Sequence, residues 1–468
     1  MFTFWFATIV FIGTYIVIAS EKVHKTVAAL VGASLMFLVV LHGSTHGAKE
    51  TPGQVLEQGI EQSSSHIDAE LLHRAEKYEE LDVFARYVNF DVIFTLAGMM
   101  LLVNVLSGTG IFQYIAIKSA KIARGSPVRT MILLVLSTAF LSAFLDNVTT
   151  VLLIAPVTLL VATELGVPAM PFLMAETMAS NIGGTATLIG DPPNLIIGSV
   201  ARLDFAAFMV NLAPFILGIL IVYCICLRIY YSKRMQVTVE KRARIMELNE
   251  SAAVTDPVNM KRGGLVMIIT IAGFLVHGVL GLQPCVVAVA GAALCLAICK
   301  VDVDHCLEKI EWSTLFFFLG LFVLVSGAAE GGLMGKFGSL LACTKDWNIL
   351  ATVLVVMWIS GICASIMNNV SYTAAIVSVV AAFLVTTPAF AAPAARELMW
   401  WGLALAVCLG GNGTLVGAAA NLVTVGIAEK SGHQVSFKDF LRYGLPVTVL
   451  SMIAASIYII IRYYVCCA

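Results

Sequence analysis

The sequence predicts an all-α polytopic membrane protein made of two inverted-topology repeats, each with about five transmembrane helices, one of them broken, plus a re-entrant helical hairpin. Three observations carry that prediction. The 468 residues are 59% hydrophobic and 12% charged, with a mean hydropathy of +0.93, against roughly 25% charged residues in a soluble domain. Apolar runs approaching the roughly 20 residues needed to cross a bilayer recur along the chain. Two polar motifs, one of them glycine-rich, interrupt such runs in the first half and return in weaker form in the second.

The apolar runs are 2–20, 26–41, 92–106, 171–200, 208–230, 265–282, 284–299, 314–328, 398–428 and 440–464, with 171–200 and 398–428 interrupted. Two longer regions, 130–163 and 347–395, carry a polar motif near their middle and read as helical hairpins with the motif at the tip. Residues 2–20 lack a basic leader and a small-residue cleavage site, which predicts a retained first span rather than a signal peptide.

Positive charge sets the orientation. Lys22 and Lys25 follow the first run, Lys118, Lys121, Arg124 and Arg129 precede the first hairpin, and eight Lys or Arg fall within 228–262. Those loops are expected on the cytoplasmic side. The insert 42–89 has four basic and nine acidic residues and is expected outside. Each half then crosses an odd number of times, so the second half enters upside down.

The duplication is visible directly. Residues 183–195 align with 410–422 at seven of thirteen identical positions, Asp146 to Thr149 match Asn368 to Ser371, and 24–39 resemble 283–298. The domains expected are a first repeat, 1–231, containing the extramembrane insert 42–89, a cytoplasmic linker, 232–263, and a second repeat, 264–468. The insert reads as a solvated loop, and its His42 and His46 are a weak metal signal. Gly98, Gly108 and Gly320 suit helix packing.

The net charge of −1 points to no nucleic-acid partner, and the eleven scattered cysteines predict no disulfide framework. No metal cluster or cofactor is expected beyond a coupling ion, H+ or Na+. Function is concentrated in the interruptions. Between 130 and 163 the only charged residue is Asp146, and between 165 and 201 the only acids are Glu176 and Asp191. A carboxylate facing lipid costs on the order of 2.5 kcal/mol or more, so each must face protein or water. Asp191 precedes Pro192 and Pro193, which remove two amide donors and stop a continuous helix. The glycines at 183, 184 and 190 let the backbone unwind and approach a ligand.

The expected outcome is a pair of broken helices whose free backbone ends face the hairpin tips at a midplane cavity. The candidate solute ligands are Asn147, Thr149, Gly184, Thr185, Thr187 and Asn194 from the first half, with Asn368, Asn369, Ser371, Asn412, Thr414 and Asn421 from the second. Asp146 and Asp191 are the candidates for proton or cation coupling, because the second half carries Asn368 and Ala418 in their places. Glu176 is a further candidate, or a buried structural acid bonded to neighbouring hydroxyls. Glu330 reads as interfacial, and His277 as bonded to a carbonyl.

The runs Leu145 to Thr150 and Asn181 to Asn194, with Asn368, Asn369 and the block from Gly410 to Asn421, resemble the arsenite permease and melanocyte P protein branch of the ion transporter superfamily. The likeness covers both halves outside the insert. It implies an elevator-type carrier whose moving part contains both hairpins and both broken helices, a homodimer in a bacterial inner membrane, and, for an arsenical pump, a soluble ATPase partner. Members of this superfamily are associated with arsenite and antimonite extrusion, sodium/proton exchange and anion transport. Dicarboxylate carriers of the superfamily have Ser-Asn-Thr at the hairpin tips, from which this chain departs at Asp146 and Asn368.

Arsenite is mostly a neutral trihydroxide at neutral pH, and amides and hydroxyls suit it. The expected function is therefore proton-coupled efflux of arsenite, antimonite or a related inorganic ion, with sodium/proton antiport as the alternative and dicarboxylate transport ranked lower. Thiolate ligation by Cys363 and Cys408 ranks below the amide pocket. An enzyme is not expected: intramembrane aspartyl proteolysis would need glycine where Leu188 stands. A non-transporting scaffold would not explain the duplicated motifs.

Overall fold

The computed structural model describes residues 2–20, 23–41, 87–247, 249–333, 336 and 347–466. The insert expected at 42–89 lies outside the described residues except for its last three positions, and His42 and His46 lie outside as well. Among the described residues there is no strand.

The first helices are α1 (Phe2–Ser20) and α2 (Lys25–Met36), the latter continued by a π-turn segment, Phe37–Leu41. Next come α3 (Phe90–Gly108), α4 (Ile111–Ile122) and α5 (Pro127–Ser142). Beyond the first hairpin tip lie α6 (Asn147–Leu165) and α7 (Met170–Gly184). After a break follow α8 (Pro192–Ala201), α9 (Phe205–Asn211) and α10 (Ala213–Tyr231). The linker carries α11 (Val239–Glu247) and leads into α12 (Pro257–Val276), α13 (Pro284–Cys299) and α14 (Val303–Glu308). The remainder is α15 (Trp312–Glu330), α16 (Ile349–Met367), α17 (Asn369–Thr386), α18 (Pro393–Gly410), α19 (Ala419–Lys430) and α20 (Phe437–Cys466).

Among the described residues eight helices are long and apolar enough to cross a membrane, and the pair α8 and α9, bent by 112°, passes the same test together. The protein is a multi-pass integral membrane protein. Helix starts follow local chemistry. Proline occupies the first turn of α5, α8, α12, α13 and α18, where its missing N–H costs nothing. Asp256 caps α12 through the amides of Val258 (3.1 Å) and Asn259 (2.9 Å). The helix it caps begins at Pro257, within the segment 232–263.

The chain forms two compact units, 1–93 with 311–341, and 94–310 with 342–468. Each takes segments from both halves of the sequence. In the first unit α2 packs along α15, where the Thr26 hydroxyl donates to the Ser313 carbonyl at 2.8 Å. Ala33, Val88 and Val323 form its buried apolar centre. In the second unit α5, α6 and α7 pack together, as do α16, α17 and α18. The two groups interlock, since α6 lies against α19 and α8 against α17.

Side positions sort as follows. Glu330 is exposed at the end of α15. His277 is buried; its Nδ1 pairs with the Leu282 carbonyl at 2.9 Å and its Nε2 accepts from the Phe205 amide at 3.3 Å. A side chain at Gly98 would strike the Ala288 backbone, which is the close packing expected there. Gly108 differs, since open space surrounds its Cα and no packing demand explains it.

Candidate functional site

Both interrupted runs are broken in the structure. Helix α7 stops at Gly184 and α8 starts at Pro192; α18 stops at Gly410 and α19 starts at Ala419. Each break sits against the tip of the hairpin from its own half. A Cβ on Gly183 would stand 2.2 Å from the Ala139 carbonyl oxygen, and one on Gly410 would stand 2.5 Å from that of Gly361. Only glycine permits that approach.

A helix break leaves carbonyls and amides that must be satisfied in an apolar setting. One asparagine does most of this work in each half. The Asn194 side-chain amide donates to the carbonyls of Gly184 (3.4 Å), Thr185 (3.3 Å) and Thr187 (2.8 Å). Asn421 donates to Gly411 (2.8 Å) and Thr414 (2.8 Å). The pairs Gly184 and Gly411, Thr187 and Thr414, and Asn194 and Asn421 all share one sequence spacing. The hydroxyls of Thr187 and Thr414 complete the match by donating to hairpin carbonyls, those of Ala143 and Ser365. The carbonyls expected to be free are therefore engaged, and Asn194 and Asn421 are the groups that engage them.

The two aspartates are held differently. Asp146 caps α6, accepting from the amides of Val148 (2.8 Å) and Thr149 (3.3 Å) and from the Thr149 hydroxyl. It is half-buried and, with Thr149, Thr95, Met99 and Ile189, borders a narrow cleft. Asp191 is fully buried, at 0% exposure, and makes no cap bond to α8 despite standing at its start. Its carboxylate instead accepts from Asn147 Nδ2 (3.3 Å) and Asn369 Nδ2 (3.2 Å), one amide from each hairpin. Among the described residues no Lys or Arg pairs with Asp191. The position equivalent to it in the second half, Ala418, has the same extended backbone and no charge.

From Asp191 the polar contacts run on across both halves. Asn147 Nδ2 also donates to Asn181 Oδ1 (3.1 Å), and Asn181 Nδ2 donates to Asn412 Oδ1 (2.8 Å) and Asn421 Oδ1 (3.0 Å). Asn412 in turn donates to the Met178 carbonyl at 3.4 Å. Asn368 caps α17 through the Val370 amide at 3.2 Å, with a backbone φ of +64° where Asp146 has −64°. The Asn369 amide donates to the Gly417 carbonyl at 2.8 Å, tying the second hairpin tip to the second break. The Thr185 hydroxyl turns back to the Asn181 carbonyl at 2.8 Å, and Ser371 is buried in α17.

Glu176 stands apart from this network. It is buried in α7, and both of its oxygens face the Thr158 hydroxyl, at 2.7 and 2.9 Å. Two participants were not among the expected ligands. Asn181 joins both halves, and Cys408, weighed only as a thiolate, is a neutral donor to Asn194 Oδ1 at 3.3 Å. Their signal in the sequence was their spacing, which is that of the other matched pairs.

Residues 15–406 match the family described as citrate transporter. The chain is 39% identical to an uncharacterized transporter of Mycobacterium tuberculosis over 98% of both chains. It is 38% identical to a 46 kDa membrane protein of Mycobacterium leprae, over 98% of this chain and 99% of that protein. The P protein of Sus scrofa is 30% identical over 98% of this chain, which spans 59% of the P protein's length. In fold it is similar to the crystal structure of the YdaH transporter of Alcanivorax borkumensis, with a TM-score of 0.57, 15% identity and coverage of 93% of this chain and 98% of that one.

Proposed function

Because the chain belongs to the citrate transporter family, we propose that it is a secondary active transporter in which Asp191 exchanges a proton or cation while a small solute is carried between the two breaks. The family and its relatives are transporters and not enzymes. One observation carries the coupling assignment: a fully buried carboxylate meets neutral donors, an amide from each of two hairpins and the Cys408 thiol, and no cation among the described residues. Taking an ion out of water costs several kcal/mol, and two amides do not cancel its charge. A proton or a metal cation such as Na+ completes it. Asp146, saturated by its own helix start, serves the hairpin tip beside the cleft, and Glu176 is a second carboxyl to test.

The matched spacing of the two breaks supports inverted repeats, and both hairpins with both breaks fall within one compact unit, which supports an elevator in which they move together. For the solute, the neutral amides and hydroxyls favour arsenite or antimonite as trihydroxides, carried outward against protons. The family description favours a second reading, a citrate-type carboxylate, which would need its charge offset beside Asp191. Sodium/proton antiport uses the same carboxylate with no further solute. The remaining assignments are a homodimer in a bacterial inner membrane with the basic linker cytoplasmic and, if arsenicals are carried, a soluble ATPase partner.

Proteoliposomes of the purified chain, loaded with a pH-sensitive dye and challenged in turn with arsenite, antimonite, sodium and citrate at two pH values, test this. Proton flux elicited by one of them and lost in Asp191→Asn supports the proposal. Flux unchanged in that variant overturns the coupling role of Asp191.

A further inference from the structure

The cross-brace between the halves is two-fold in layout but unequal in strength. Asn181 and Cys408 occupy matched positions on α7 and α18, as do Thr185 with Asn412 and Asn194 with Asn421. Asn181 reaches across to Asn421 and Asn412, and Cys408 reaches across to Asn194 while lying within hydrogen-bonding reach of Thr185 and of the Asp191 carboxylate. Each member of one half thus meets the counterpart of its own partner in the other.

The need for a donor at both positions follows from the asparagines. Asn194 must turn its NH2 towards the carbonyls of its break, which sends Oδ1 the other way, into a fully buried place. Asn421 is oriented by the same demand. An amide orientation is set by its hydrogen-bond partners, and a buried oxygen without a donor is costly. Asn181 supplies an amide N–H to Asn421 at 3.0 Å, whereas Cys408 supplies Asn194 with a thiol, a weak donor, at 3.3 Å.

We infer that Cys408 is a positioning residue that holds the Asn194 amide, and that its weak thiol bond makes the Asp191-bearing break the more yielding of the two. The break that carries the coupling carboxylate is then the one able to rearrange when that carboxylate changes its partner, while the second break stays fixed. This rests on the reading of the breaks as the solute site, but its test needs no transported solute.

The test is hydrogen–deuterium exchange with mass spectrometry on the purified full chain in lipid nanodiscs. Cys408→Asn reproduces the stronger donor and is expected to slow amide exchange across 185–190, and Cys408→Ala to speed it, each by about five- to tenfold, as for one buried hydrogen bond. Exchange across 411–417 stays at the parent rate in both, and Cys408→Ser, which keeps a donor, does not exceed the parent at 185–190. The reciprocal variant, Asn181→Cys, speeds exchange across 411–417 more than across 185–190, to which Asn181 is linked through Asn147, and this preserves the test should Cys408→Asn fail to fold. A uniform response of both breaks to any of these variants, or none at either, overturns the proposal. Loss of transport in the liposome assay with this break-specific pattern intact would count against the transport reading alone.

Discussion

The side-chain amide of Asn369 lies 3.2 Å from the carboxylate of Asp191, joining residues 178 positions apart in the chain. With Asn147 on the other side, the acid is gripped by the tips of both hairpins. Movement of either hairpin therefore alters the contacts of Asp191, the one fully buried aspartate among the described residues.

Asp191→Asn keeps the shape but places an NH2 against the NH2 groups of Asn147 and Asn369. At least one buried donor then loses its acceptor, at about 1–3 kcal/mol. The expected result is a lowered thermal midpoint together with loss of proton-coupled flux. Glu176→Gln retains an acceptor for Thr158 and is expected to lower stability less, which differential scanning of the two variants would show.

Asn421→Ala removes two 2.8 Å bonds to the second break, stranding the Gly411 carbonyl and leaving the Thr414 carbonyl with the Gly417 amide at 3.1 Å. Destabilisation of about 1–3 kcal/mol for each buried group left unpaired is expected. Asn194→Ala should cost less than this, since only one of its three contacts is as short. Thermal unfolding in detergent decides the order.

Gly183→Ala and Gly410→Ala each press a methyl group onto the backbone of the facing hairpin. Because backbone, not a flexible side chain, must yield, a cost of about 1–3 kcal/mol is expected. Membrane insertion should survive, while uptake rates fall for both variants. Normal uptake in either would show that the hairpin can withdraw without cost.

Outside the membrane, Lys121 bonds the carboxylate of Glu250, and this contact holds the Glu250 carboxyl below the usual carboxylate range. A depressed acid adds stability that is present above its unfolded pKa and fades as pH falls through its lowered folded value. Exchange protection of the turn Glu250–Ala253 is expected to persist at neutral pH, disappear in acid, and be absent at both in Lys121→Gln. Because both groups are solvated, added salt should weaken it too.

Hydropathy and repetition made the architecture legible: the apolar helices, the two breaks and the hairpin tips fall where the runs and their polar interruptions place them. The broken helix at Pro192 and Pro193 followed from lost donors, and the break after Gly410 from its likeness to Gly183. Less legible was the division of labour among the polar residues. Asn194 and Asn421 looked like groups offered to a solute, yet their amides serve the backbone of the breaks. Asp146 and Asp191 looked alike, yet one caps a helix and the other is held by two distant amides.

By itself the sequence determined that the chain lies in a membrane, that its helices are interrupted twice in related ways, and that charge at the interruptions belongs to one half. These are local properties, set by side-chain solvation and by proline and glycine at particular positions. Only the tertiary structure decided which amide faces which carbonyl, and that Asn181 and Cys408 hold opposite breaks. Such pairings depend on how segments far apart in the chain pack, and an asparagine reads the same in sequence whether it donates to a solute, a carboxylate or a broken helix.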